Sequence, residues 1–199
     1  MNVLPYGPRA WLVEVPDDRV AGYAGAVARH ADVAEVVPAA RTVLVRLRAG
    51  AATAEVGAWL ANVEPDDVAD RPAPAIDIVV TYDGVDLSDV AAACGLGIDE
   101  VVARHGAATY RCAFCGFAPG FAYLAGLDPA LRLARRATPR TRVPAGSVAI
   151  ADVYAAVYPS ASPGGWHVIG RTDATMWDAE RDPPALVVPG ATVRFVAAR

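Results

Sequence analysis

The chain has 199 residues, 54% of them apolar and 20% charged, with a formal charge of −4. That is enough apolar material for one compact domain or two small ones, and it excludes a disordered chain, a membrane span of roughly 18 apolar residues and the basic face of a nucleic-acid binder. All 18 basic residues are arginine, which removes the lysine of a phosphate loop, a Schiff base, a biotin carrier or a lysine general base.

Residues 10–15 form a short apolar run that stops at Pro16, as a strand does. Val20, Tyr23, Ala24, Val27 and Ala28 then recur at helical spacing behind the acids of Pro16-Asp17-Asp18, which favour a helix start. A β-rich run over 42–47 puts Val43, Val45 and Leu47 on one face. Thr53 is the expected cap of a second helix with the stripe Val56, Trp59, Leu60 and Val63. Strand, helix, strand, helix predicts a small α/β domain of split βαβ type over residues 1–70. The acidic, proline-rich stretch that follows reads as solvated, with a linker over 71–75.

A second domain is expected over 76–199. It opens with a strand over 76–82 ending at Asp83-Gly84. Two short helices follow, one with Leu87, Val90, Ala91 and Cys94 inward and closed by Gly95. The other has Ile98, Val101, Val102 and His105 inward and is closed by Gly106. His105 on that stripe reads as a core histidine. From residue 109 the helical period disappears and short apolar segments alternate with Pro/Gly turns, the pattern of a closed or nearly closed β-barrel. Cys112 and Cys115 lie on the strand expected over 110–117, and with no further Cys or His pair to complete a zinc site they read as structural. No metal is predicted.

Three stretches carry the candidate chemistry. Residues 129–151 hold Arg132, Arg135, Arg136, Arg140 and Arg142 without one acid. This surface suits a carboxylate or phosphate, which arginine grips bidentately. Solvated arginines paired with distant aspartates are the other reading. Beside them, Thr138, Thr141 and Ser147 offer hydroxyls. Residues 160–172 hold Gly164 and Gly165 before Trp166, then His167, Arg171 and Thr172. Strand alternation places Trp166 and His167 on opposite faces, and His167 has the intrinsic pKa of an acid/base group. Residues 116–124 read as a strand, a tight turn and an aromatic platform that includes Tyr123. The candidate catalytic residues are His167, Arg140 and Arg171. The candidate substrate-binding residues are Arg136, Thr138, Arg142, Ser147, Tyr123, Gly164, Gly165 and Thr172.

Four blocks in this order, GFAPGFAYLAGLD (116–128), RRATPRTRVPAGSVAIA (135–151), YPSASPGGWHVIGRT (158–172) and RDPPALVVPGATVRFV (181–196), resemble the family of allophanate hydrolase subunit 1 and the B subunit of 5-oxoprolinase. That family includes KipI-like histidine-kinase inhibitors, and related sequences form the carboxyltransferase domain of biotin-dependent urea carboxylase. The likeness covers roughly residues 76–196, with a looser fit over 7–14. It implies an N-terminal α/β domain, a cyclophilin-like β-barrel and a hetero-oligomer with a paralogous partner, the family's subunit 2 or C-type chain, with a lactam-utilisation protein as a further component. The implied activity is that of an ATP-dependent 5-oxoprolinase opening 5-oxo-L-proline to L-glutamate, inactive without the partner. ATP would be handled through the complex and any biotin carried on another chain. Carboxyl or amide transfer on urea-derived substrates, and inhibition of a histidine kinase, are the alternatives. The sequence departs from the family where a usual Gln-Thr pair is replaced by Tyr154-Ala155 and nearby glycines by Ala149, Asp152 and Ala156.

Overall fold

The computed structural model describes residues 1–66 and 75–198. The chain packs as two compact units, Met1–Pro72 and Ala73–Arg199. Of the linker expected over 71–75, all but Ala75 lies outside the described residues.

In the first unit, strands β1 (Asn2–Pro5) and β2 (Ala10–Glu14) lead into helix α1 (Val20–Val27). Strands β3 (Val33–Pro38) and β4 (Thr42–Leu47) follow, then helix α2 (Thr53–Leu60). The sheet order is β1-β2-β4-β3 with every neighbour antiparallel. β2 and β3 therefore run parallel on either side of β4 and are joined by α1, which is a split βαβ unit. Val13, Val43, Val45 and Leu47 bury one face of the sheet with Val20, Tyr23 and Val27 of α1 and Val56 and Leu60 of α2. The buried Tyr23 hydroxyl donates to the Leu60 carbonyl at 2.8 Å, so its polar end is satisfied.

Two of these strands escape the sequence pattern. β1 is almost wholly exposed, and a bulge between Val33 and Glu35 breaks the alternation of β3. Thr53 is not the cap of α2. Ala52 occupies that position and no side chain caps it, because the helix is held by the packing of its apolar face.

The second unit begins with β5 (Ile76–Val80), α3 (Leu87–Cys94), α4 (Ile98–Ala107), β6 (Tyr110–Cys115) and β7 (Ala122–Ala125). Strands β8 (Arg140–Val143), β9 (Ser147–Ala151), β10 (Tyr154–Val157), β11 (Ser162–Gly164), β12 (His167–Arg171) and β13 (Thr192–Ala197) complete it. Gly95 ends α3 in the left-handed conformation at φ 67°, as a C-terminal glycine does. Gly106, by contrast, lies inside α4, which ends at an extended Ala108. The apolar face of α4 packs along β13, carrying the helix one residue past the glycine.

Seven strands form one sheet in the order β12-β9-β10-β7-β6-β13-β5. Its two edges meet where Thr81 and Arg171 exchange backbone hydrogen bonds, both 2.9 Å. The sheet is thus a nearly closed barrel, with β8 and β11 as a separate two-stranded ribbon. Val80, Tyr110, Leu124, Ile150, Val157, Ile169 and Val193 fill its interior.

Closure needs glycine at the seam. A Cβ on Gly84 would run into the Ile169–Gly170 peptide, and one on Gly170 would lie 2.6 Å from the Thr81 carbonyl oxygen. Gly84→Ala is therefore expected to destabilise the barrel by about 3 kcal/mol or more, the upper end of overpacking costs. A thermal melt of the variant matching the parent's would refute this packing.

Candidate functional site

The seam positions a cleft. Asp83, Gly84 and Val85 come from the turn after β5, Arg140 and Arg142 from β8, and Pro144, Ala145 and Ser147 from the next turn. Val168, Gly170 and Arg171 of β12 form the opposite wall, around a volume of about 360 Å³. That is the small end of the range for small-molecule sites. The first unit carries a larger depression of about 640 Å³ beside Glu14 and Arg41. Its lining holds one arginine, Arg41, against Arg140, Arg142 and Arg171 in the seam cleft, so the seam cleft is the stronger candidate on chemical grounds.

One residue that the sequence reading missed organises the cleft. Asp86 is 1% exposed and sits immediately before α3. Arg136 Nη1 donates to its Oδ1 at 2.7 Å, while Arg140 donates through both terminal nitrogens at 2.6 and 2.8 Å. The Val168 amide donates to Oδ2 at 2.7 Å, and the Asp86 amide returns a bond to the Val168 carbonyl. Burial by itself pushes this carboxyl up. The Arg140 hydrogen bonds, the Val168 amide and the two guanidinium charges outweigh burial and hold it below the ordinary carboxylate value.

The signal was in the sequence as Asp83-Gly84-Val85-Asp86, but nothing local ties it to arginines 50 and 54 positions later.

The arginine-rich stretch is thus only partly uncompensated. Arg136 and Arg140 share Asp86, and Arg171 donates to Asp83 at 2.8 Å in an exposed pair. Arg135 lies 3.8 Å from Asp152 and over the Trp166 ring. Arg142 lines the cleft with no carboxylate partner among the described residues. Arg140 and Arg142 alternate with Thr141 along β8, so both project from the same face.

The guanidinium-rich segment and the Gly-Gly-Trp segment do meet. β8 pairs with β11, and the Arg136 amide donates to the Gly165 carbonyl at 2.8 Å. Of the candidate residues, Arg140, Arg142, Ser147 and Arg171 line the cleft together, and Arg136 braces it from behind through Asp86. Gly164 lies in β11 against the Tyr158 hydroxyl, leaving no room for a Cβ. Thr172 is buried, with its amide bonded to Gly146 and its hydroxyl accepting from Ala174. Thr138 is exposed and is not among the lining residues.

His167 and Tyr123 lie outside the cleft lining as well. The His167 ring is held through Nε2, 2.9 Å from the Ala134 carbonyl. Because that carbonyl can only accept, the proton resides on Nε2, leaving a buried, unpartnered Nδ1. Trp166, in the bend just before β12, is buried in an aromatic layer with Phe121, Tyr123 and Tyr158. Tyr123 stacks on Phe114 at 4.2 Å and meets Tyr154 edge-on. Of the departure at Tyr154-Ala155, Tyr154 therefore falls in this layer and Ala155 in the barrel interior, and neither lines the cleft.

Cys112 and Cys115 are free, with sulfurs 3.7 Å apart. Among the described residues no group of three or more His, Cys, Asp or Glu side chains is placed to hold a metal ion. No helix there is long and apolar enough to cross a membrane.

Fold and cleft together define a mixed α/β protein whose barrel seam lines a small cleft with guanidinium groups. The chain belongs to the family described as carboxyltransferase domain, subdomain C and D, whose model matches residues 1–187. It is 49% identical over 124 residues to the 5-oxoprolinase B subunit of Escherichia coli O157:H7, covering 61% of this chain and 57% of that protein. The crystal structure of TTHA0988 superposes with a TM-score of 0.83 at 33% identity, over 96% of this chain and 40% of that one. Urea amidolyase of K. lactis shares the fold at 20% identity, with a TM-score of 0.73 over 100% of this chain and 16% of that one. The chain thus spans little more than half the length of its curated relative and less than half of TTHA0988.

Proposed function

We propose that this chain is a subunit of an ATP-dependent 5-oxoprolinase, hydrolysing 5-oxo-L-proline to L-glutamate together with a C-type partner chain in the cytoplasm. The 49% identity to a protein of that name supports the reading. Arg142 carries it at the level of chemistry. This guanidinium has no counter-ion among the described residues, lines a cleft of small-molecule size and matches the substrate's carboxylate. Arg140, held by Asp86, then faces the lactam carbonyl, where negative charge develops as the ring is attacked.

The barrel in this reading is cyclophilin-like. ATP enters as co-substrate through the assembly, since a chain without lysine has no phosphate-loop lysine. Activity without the partner is not expected.

Arg142→Ala is expected to lower lactam turnover by the reconstituted assembly at least a hundredfold with little change in thermal stability, because the side chain is exposed and unpaired. Glutamate release measured with ATP checks this, and full activity in the variant would remove Arg142 from the site. The family's carboxyltransferase name supports a second reading, carboxyl or amide transfer in urea metabolism. Turnover that requires a biotinyl partner and leaves 5-oxoproline untouched would select it.

A further inference from the structure

The charges around the cleft do not balance, and the imbalance has a form. Four guanidinium groups (Arg136, Arg140, Arg142 and Arg171) have only two carboxylates in direct contact, Asp83 and Asp86, while the exposed Asp89 and Asp173 act on Arg140 and Arg171 through space without a hydrogen bond. Asp83 neutralises Arg171. A single Asp86 stands between Arg136 and Arg140, so that cluster keeps one positive charge, and Arg142 keeps another. Arg140 and Arg142 rise from one face of β8 two residues apart, about 7 Å at the backbone given the rise of a strand. The surplus of the Asp86 cluster is shared by Arg136 and Arg140 and reaches the cleft only through Arg140, so the two positive centres on this wall are Arg142 and the Asp86-bound Arg140.

A ligand with one carboxylate can satisfy only one of these charges. An open-chain diacid of about five carbons can satisfy both, and a cleft of about 360 Å³ has room for it. Resting on the proposed reaction, we propose that the cleft is a dicarboxylate site that holds the ring-opened product more tightly than the lactam. Opening adds water across the lactam C–N bond. The water oxygen joins the carbonyl carbon, which becomes the second carboxylate, and both water protons pass to the ring nitrogen, which leaves as an ammonium. The new carboxylate forms at Arg140 while the original one stays on Arg142. The ammonium is left in a cleft whose lining includes one carboxylate, that of Asp83. The site is thus charged for the end of the reaction, and product release from it is slow relative to lactam release.

Calorimetric titration of the chain, and of the reconstituted assembly, at fixed ionic strength tests this with four probes: glutarate, L-glutamate, L-glutamine and 5-oxo-L-proline. Glutarate and glutamate are expected to bind at least tenfold more tightly than glutamine and the lactam. In Arg142→Gln that ratio is expected to fall to about one, since a single uncompensated charge remains. Equal affinity for mono- and diacids in the parent, a ratio that survives in Arg142→Gln, or no binding by either preparation would overturn the proposal. Turnover separates it from the reading on which it rests. A diacid preference without lactam hydrolysis removes the reaction and keeps the site, whereas hydrolysis without the preference removes the inference alone.

Discussion

Asp86→Ala is expected to lower the stability of the second unit by about 3 kcal/mol, a drop in Tm of roughly 6–12 °C for a protein of this size. It is also expected to reduce turnover at least as far as Arg142→Ala does. The carboxylate is fully buried, and its removal leaves two cations and the Val168 amide without an acceptor. The cost stays at the lower end for a broken buried pair because Arg136 and Arg140 keep 30% and 26% of their side-chain surface and can turn toward water. Asp86→Asn retains an acceptor for Val168 and should fall between the two. Denaturant titration beside turnover checks both variants, and a parent-like midpoint in Asp86→Ala would show that the clamp contributes nothing. The carboxyl is held below its ordinary value, so its contribution is present above that value and is lost on acidification.

Acid should also act through His105. The ring is fully buried against Phe195 at 4.6 Å between centroids, with Nδ1 2.7 Å from the Tyr82 hydroxyl and Nε2 unpartnered. Burial lowers its pKa from 6.5 to about 3. The unfolded chain takes up a proton near 6.5 and the folded chain does not until about pH 3, so the unfolded state binds more protons throughout that window. Stability is therefore complete above pH 6.5 and falls with pH by about 1.4 kcal/mol per unit below it. Between pH 7 and 4.5 the loss is expected to reach about 2–3 kcal/mol. His105→Phe, which cannot titrate, should show a slope shallower by that amount. Comparing slopes rather than midpoints cancels the acid response of Asp86 and the cost of leaving Tyr82 without a partner. Parallel pH profiles in the two proteins would mean that the buried ring is protonated in the folded state.

The family, and with it the expectation of a barrel, was legible in four ordered blocks, and the helical and strand periods placed most elements. β4 and the core faces of α1 and α3 follow directly from alternating or helical apolar spacing. β1 and β3 did not, because an exposed edge and a bulge erase the period that such a reading depends on. The buried position of His105 was likewise readable, since it is a property of a single helix face.

The site was legible only as a composition. Counting arginines over 129–151 located the positive surface, yet it could not tell Arg142 from Arg136 and Arg140. That distinction depends on a carboxylate some fifty residues upstream. By itself the sequence determined what is periodic or local: the lysine-free chemistry, the element types and the family. Barrel closure through Thr81 and Arg171 alone brought Asp86 under β8 and left one guanidinium free in the cleft. Charge compensation acts through space over a few ångströms, and no pattern along the chain encodes which distant residues will meet at a seam.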